Sequence, residues 1–98
     1  MPIKQVMIRL NNNLGNIYCF EINQLAKGLN YYKKSLDYSL KIADSSQIYI
    51  TKMNIAWAYF YISDFKSGKP YLDFINKYKN SYGDNSTVVA LKMLNGMY

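Results

Sequence analysis

The chain has 98 residues, half of them hydrophobic and 16% aromatic, with 12 Lys and Arg against 6 Asp and Glu and a formal charge of +6. That length makes one small domain with a limited core and excludes a second. A single cysteine, Cys19, excludes an internal disulfide, and the lack of any histidine removes the commonest general base and metal ligand.

Helices are expected near residues 3–21, 25–43, 46–62, 67–82 and 86–97, and no alternating apolar-polar run competes as a strand, so the class is all-α. The second helix is the clearest. Its apolar residues Leu25, Leu29, Tyr32, Leu36, Leu40 and Ala43 recur at helical steps, while Tyr31, Tyr38 and Ile42 mark a second apolar face. The third segment, Ile48 to Ile62, is apolar almost all round, with Trp57 and Phe60 opposite Ile48, Ile55, Tyr59 and Ile62, and therefore belongs in the middle of an assembly. Asp44 or Ser45 is suited to cap that helix and Ser86 the last one, because each offers an oxygen to the unpaired N–H groups of a helix start. A proline is tolerated in the first turn but not beyond it, so the fourth helix is expected to start near Ser67 and hold Pro70 in its first turn. Gly83 and Asp84 give the strongest turn signal.

Compared with itself, the chain repeats. Asn13-Leu14-Gly15-Asn16-Ile17-Tyr18 aligns with Asn54-Ile55-Ala56-Trp57-Ala58-Tyr59 at an offset of 55 − 14 = 41. Gly28-Leu29-Asn30-Tyr31-Tyr32 aligns with Gly68-Lys69-Pro70-Tyr71-Leu72 at 68 − 28 = 40. Small residues at equivalent points, Gly15 and Ala56, allow two antiparallel helices to approach, and Tyr18 and Tyr59 fill the space beyond. The unit is a helical hairpin.

At these residues the chain resembles the tetratricopeptide repeat (TPR) family, whose first helix carries Leu-Gly-x-x-Tyr, the spacing of Leu14-Gly15-x-x-Tyr18. The second copy is the degenerate Ile55-Ala56-x-x-Tyr59, and the second-helix motif appears as Gly28-x-x-x-Tyr32 and Gly68-x-x-x-Leu72. The period, near 40, matches the longer bacterial type. The resemblance implies a right-handed α-solenoid of antiparallel hairpins: one repeat over about 8–44, another over about 46–83, and a partial third repeat or cap helix at 86–98, with Leu94 and Tyr98 in the Leu and Tyr places. The last helix has apolar residues on two faces, Leu91, Leu94 and Tyr98 on one and Val89, Met93 and Met97 on the other, so the chain reads as part of a longer protein or as a possible homo-oligomer closing through that helix.

In the family, the first helix of each hairpin lines a concave groove for a peptide. Carried over, that groove takes Arg9, Asn12, Asn16, Cys19 and Phe20, then Ile50, Met53, Asn54, Trp57, Phe60 and Tyr61, with Val89 and Lys92 completing it. Aromatic residues supply contact area, Met adapts its shape, and the amides of Asn16 and Asn54 are suited to orient a peptide backbone. An aromatic stripe on a middle helix is at least as often packing, and Trp57 and Phe60 carry both readings. A peptide or protein partner is therefore expected, with no enzyme activity, no cofactor and no metal: no phosphate loop or nucleophile elbow occurs, and pairs such as Lys33–Asp37 and Lys69–Asp73 engage carboxylates along helices. The alternative is a sensor or dimerisation segment of a bacterial signalling protein, a histidine kinase or transcription regulator. Eleven of the twelve basic residues are dispersed lysines, read as solvated surface in preference to a nucleic-acid footprint. The longest apolar run, Ile55 to Ile62, is far short of the ~20 residues that span a bilayer, and no secretory leader is evident, so a reducing cytoplasm and no membrane partner are expected.

Overall fold

The computed structural model describes residues 3–82 and 85–97, of which 85–87 and 97 by backbone alone. The turn at Gly83-Asp84, the residue Tyr98 and the capping side chain of Ser86 lie outside the described residues. All regular structure among the described residues is helical: α1 (Ile3–Asn16) running into a π-helical turn (Ile17–Glu21), then α2 (Leu25–Lys41), α3 (Ser45–Tyr61), α4 (Phe65–Tyr82) and α5 (Asn85–Met97). Helices α1 and α2 form one antiparallel hairpin and α3 and α4 the next; α2 lies on α3, and α5 packs on both α3 and α4.

The connections follow a common rule. A residue in the left-handed region ends each helix at Asn23, Ala43 and Ser63, with φ of 61°, 52° and 61°, and a capping position follows at Gln24, Asp44 and Asp64. These points are 43 − 23 = 20 and 63 − 43 = 20 residues apart. Asp44 Oδ1 accepts from the Gln47 amide and Asp64 Oδ1 from the Ser67 amide, both at 3.2 Å. Asp64 is why α4 starts at Phe65 and not near Ser67: its carboxylate satisfies the first turn two residues earlier, leaving Pro70 as the sixth helical residue on the exposed side.

Small residues set how closely the helices approach. A Cβ built on Gly28 falls 2.8 Å from the Cys19 backbone nitrogen and 3.0 Å from the Gly15 carbonyl oxygen; one on Gly15 falls 2.9 Å from Cγ of Tyr32; one on Gly68 falls 2.5 Å from Cδ1 of Phe60. The partner of Gly15 is thus Tyr32 on α2, while Tyr18 stacks on Tyr31 with centroids 5.3 Å apart. Tyr59 stacks on Tyr71 at 6.1 Å in the second hairpin, the same contact displaced by 41 and 40 residues. One core cluster joins Cys19, Leu29 and Tyr32 to Ile55 and Ala58; the other gathers Tyr49, Met53, Ala56 and Phe60 with Leu72, Ile75, Leu91 and Leu94.

A polar seam joins the first three helices. Ser35 Oγ donates to the Ile8 carbonyl at 3.0 Å and lies 3.4 Å from Thr51 Oγ1, and the Asn12 amide meets Thr51 Oγ1 at 3.2 Å. No buried side-chain nitrogen or oxygen among the described residues lacks a partner, so the seam fixes the helix stagger without an uncompensated desolvation cost. Of the two ion pairs named from the sequence, Lys69–Asp73 closes at 3.1 Å.

The π turn explains why the offset between copies drops from 41 to 40. Cys19 and Phe60 take equivalent places against Gly28 and Gly68, 41 residues apart, whereas Asn23 and Ser63 end their helices 40 apart. The first copy therefore holds one surplus residue between them, and a turn closed by the bond from the Ile22 amide to the Ile17 carbonyl, 2.9 Å, absorbs it. Glu21, exposed, is that residue, since Ile22 then matches Ile62.

Two outcomes follow. Gly28→Ala forces backbone against backbone and lowers the melting temperature by roughly 10 °C, a cost of about 2 kcal/mol, while Gly96→Ala, with nothing within 4 Å of the new Cβ, leaves it unchanged or slightly higher. Deleting Glu21 keeps helicity by circular dichroism and a melting temperature within roughly 5 °C of the parent, about 1 kcal/mol; deleting Lys33 in mid-α2 shifts every following contact and abolishes cooperative melting.

Candidate functional site

Helices α1 and α3 lie side by side and run in the same direction. Near their starts Arg9 and Gln47 line one small cavity, Asn12 bonds Thr51 in the middle, and at their ends the Phe20 ring meets Tyr61 edge-on with centroids 5.3 Å apart. Beside these contacts each helix presents one stripe to the outside. On α3 the stripe is Ile50, Asn54, Trp57 and Tyr61, at steps of four, three and four, with Ile50 36% and Tyr61 59% exposed. The equivalent stripe of the first copy, 41 residues earlier, is Arg9, Asn13, Asn16 and Phe20.

Several groove residues assigned from the sequence sit elsewhere. Met53 and Phe60 are 5% and 2% exposed and belong to the core, Phe60 edge-on to Phe65 at 5.1 Å and against Gly68, whose missing side chain leaves room for the ring. Cys19 is buried against Gly28 for the same reason. Asn12 is half-buried and committed to Thr51, and the Asn16 oxygen accepts the hydroxyl proton of Tyr32, so neither amide stands ready in full for a ligand. Asn54 and Trp57 are half-buried, Trp57 resting on the second core cluster with one side outward. Arg9 is exposed and supplies the one charge of the two stripes. Asn13 was missed, although the 41-residue offset pairs it with Asn54. On α5, Leu91 and Leu94 turn to the core, leaving Val88, Val89 and Met93 40%, 59% and 55% exposed and Lys92 exposed beside them.

The face is mixed, with Arg9 as its one charge: aromatic and aliphatic area comes from Phe20, Ile50, Trp57 and Tyr61, with amides between. Such a surface binds by shape and apolar contact, aided by a few hydrogen bonds. Nucleophilic chemistry has little to work with. Burial pushes the Cys19 thiol up, which keeps it protonated, and no three His, Cys, Asp or Glu side chains converge among the described residues. No helix is long and apolar enough to cross a membrane among the described residues.

Burial, and second the nearby Cys19, raises the Tyr32 hydroxyl well above its ordinary 10.0. Tyr32 and Cys19 thus hold their protons to higher pH in the folded chain than in the unfolded one. The stability this represents is complete below pH 9 and falls as the unfolded chain ionises, Cys19 from its ordinary 9.0 and Tyr32 from 10.0 upward, each by at most about 1.4 kcal/mol per pH unit. Denaturant midpoints are expected to hold from pH 7 to about pH 9 and then decline. Tyr32→Phe loses about 1 kcal/mol at neutral pH with the Asn16 bond and declines less steeply above pH 10.

In comparison with known proteins, no family model, curated protein or solved structure matches the chain.

Proposed function

We propose that the chain is a TPR-like binding module in which the α1–α3–α5 face takes a peptide or protein partner, with no catalytic role. On this reading its two hairpins and α5 form the start of a right-handed solenoid. The observation that carries the proposal is the pair of equivalent stripes on adjacent parallel helices, Arg9–Asn13–Asn16–Phe20 and Ile50–Asn54–Trp57–Tyr61, bridged at one end by the Phe20–Tyr61 contact. Repetition of the Tyr18–Tyr31 stack as Tyr59–Tyr71, and of the glycine contacts at Gly28 and Gly68, supports a duplicated hairpin of the TPR kind. Trp57 is the natural anchor: it is large and held against the core on one side, so little entropy is lost on contact.

A second reading, the dimerisation segment of a bacterial signalling protein, draws on the exposed Val88, Val89 and Met93 of α5. Light scattering separates the two, because a dimer that Val89→Lys with Met93→Lys returns to monomer favours the second.

Peptides selected by phage display on the folded chain test the first. Trp57→Ala with Tyr61→Ala, helicity retained, is expected to weaken the selected peptides at least roughly 30-fold, the loss of a hot spot of about 2 kcal/mol. Undiminished binding by the folded double variant rules out this face.

A further inference from the structure

The side of the first hairpin turned away from α3 carries a second groove that the reading above does not use. Its volume is about 460 Å³. The α1 wall is mostly aliphatic, Met7, Leu10 and Leu14 with the amide of Asn11 between them, and Leu10 is 47% exposed. The α2 wall is Tyr31, Lys34, Asp37, Tyr38 and Lys41, and Lys27 carries the alternation of lysine and tyrosine on beyond the groove, at steps of four, three, four and three from Lys27 to Lys41. Each tyrosine is half-buried and each lysine exposed. The ammonium groups ride on rings: Lys27 lies 4.5 Å from the Tyr18 centroid, Lys34 5.3 Å from Tyr31 and Lys41 5.6 Å from Tyr38. Only Asp37 interrupts the positive rim within the groove.

The second hairpin carries a related groove. In the second hairpin the equivalent positions are Ile48 for Met7, Lys52 for Asn11, Phe74 for Lys34 and Tyr78 for Tyr38, and these four line a groove of about 280 Å³. There Leu40, from the last turn of α2, closes one end. The first groove is larger, about 460 Å³, and is bordered by α1 and α2 alone. It differs chemically as well: where it has Lys34 and Lys41, the second hairpin has Phe74 and Ser81. The shape, a trough between two helices with apolar residues on both walls, suits a helix with an apolar edge. The charge asks for one that is acidic beside that edge.

We propose that the first-hairpin groove is a second interaction surface, which takes an acidic amphipathic helix of another protein: apolar side chains against Met7, Leu10, Leu14, Tyr31 and Tyr38, carboxylates at Lys34 and Lys41. A second copy of this chain is a poor occupant, because α4 and α5 together carry Lys66, Lys69, Lys77, Lys79 and Lys92 against Asp73 and would set like charges on the rim. Single-stranded nucleic acid fits less well: the mostly aliphatic α1 wall offers phosphates little, and Tyr31 is already stacked on Tyr18.

The probe is a labelled synthetic helix of about four turns with leucines along one edge and glutamates elsewhere, compared by fluorescence anisotropy with the same helix carrying lysines for glutamates and with a short oligo-dT. The Glu/Leu helix is expected to bind and the Lys/Leu helix not to. Lys34→Glu with Lys41→Glu, both exposed and so harmless to the fold, should weaken the first at least about tenfold and admit the second. Leu10→Asp, likewise exposed, should abolish binding, whereas Trp57→Ala should leave it intact, which separates this groove from the α1–α3–α5 face. Equal binding of both helices, binding that survives the charge reversal, competition by oligo-dT, or a homodimer that Leu10→Asp dissolves would each overturn the proposal.

Discussion

Helix α3 has almost no side that tolerates water, and the packing of the chain follows from that constraint. Seven of its residues are buried, among them Ile55 and Ala58 toward the first hairpin and Met53, Ala56 and Phe60 toward the second. Each fully buried aliphatic or aromatic side chain contributes about 1.5–3 kcal/mol, so α3 is covered wherever neighbours can reach. All four other α-helices touch it. What remains outside is the stripe of Ile50, Asn54, Trp57 and Tyr61 and, on the side of the second groove, Ile48 and Lys52. The same constraint makes the candidate face shallow.

The helices were legible because a period of 3.6 is strong in α2 and because an apolar helix without a polar face has to be central. The glycines at the hairpin contacts were legible too. What the sequence did not disclose was direction. Phe60 and Trp57 are three residues apart and chemically alike, and only Gly68, across the hairpin, decides that Phe60 is drawn inward. Met53 is inward for a related reason, facing the cluster that Leu91 and Leu94 complete. Pro70 alone points to a start of α4 near Ser67, but the Asp64 cap outweighs it and the helix begins at Phe65. Asn13 is the counterpart of Asn54 at the 41-residue offset, so the offset extends to the outer stripe as well as to the packing motif.

The two grooves show how one hairpin plan is given different chemistry. The contact glycines and the tyrosine stacks stay in register, Gly28 with Gly68 and Tyr18–Tyr31 with Tyr59–Tyr71, while buried positions are refilled, Cys19 by Phe60 and Tyr32 by Leu72, and outer ones change from Lys34 to Phe74 and from Arg9 to Ile50. Both hairpins carry surface lysines, but the groove of the second is the more aromatic. Such a division keeps the backbone frame intact while the surfaces diverge.

Glu21 brings a different consequence. An additional residue within a helix ordinarily rotates everything downstream by about 100° and ruins its packing; here the wider turn at Ile17–Glu21 confines the disturbance to a single loop of backbone, and α2 begins in register. The junction where Phe20 meets Tyr61 is therefore the place where one residue more or less disturbs the fold least. If hairpins of this kind are lengthened, spliced or recombined, this seam is the joint at which the cut does least harm.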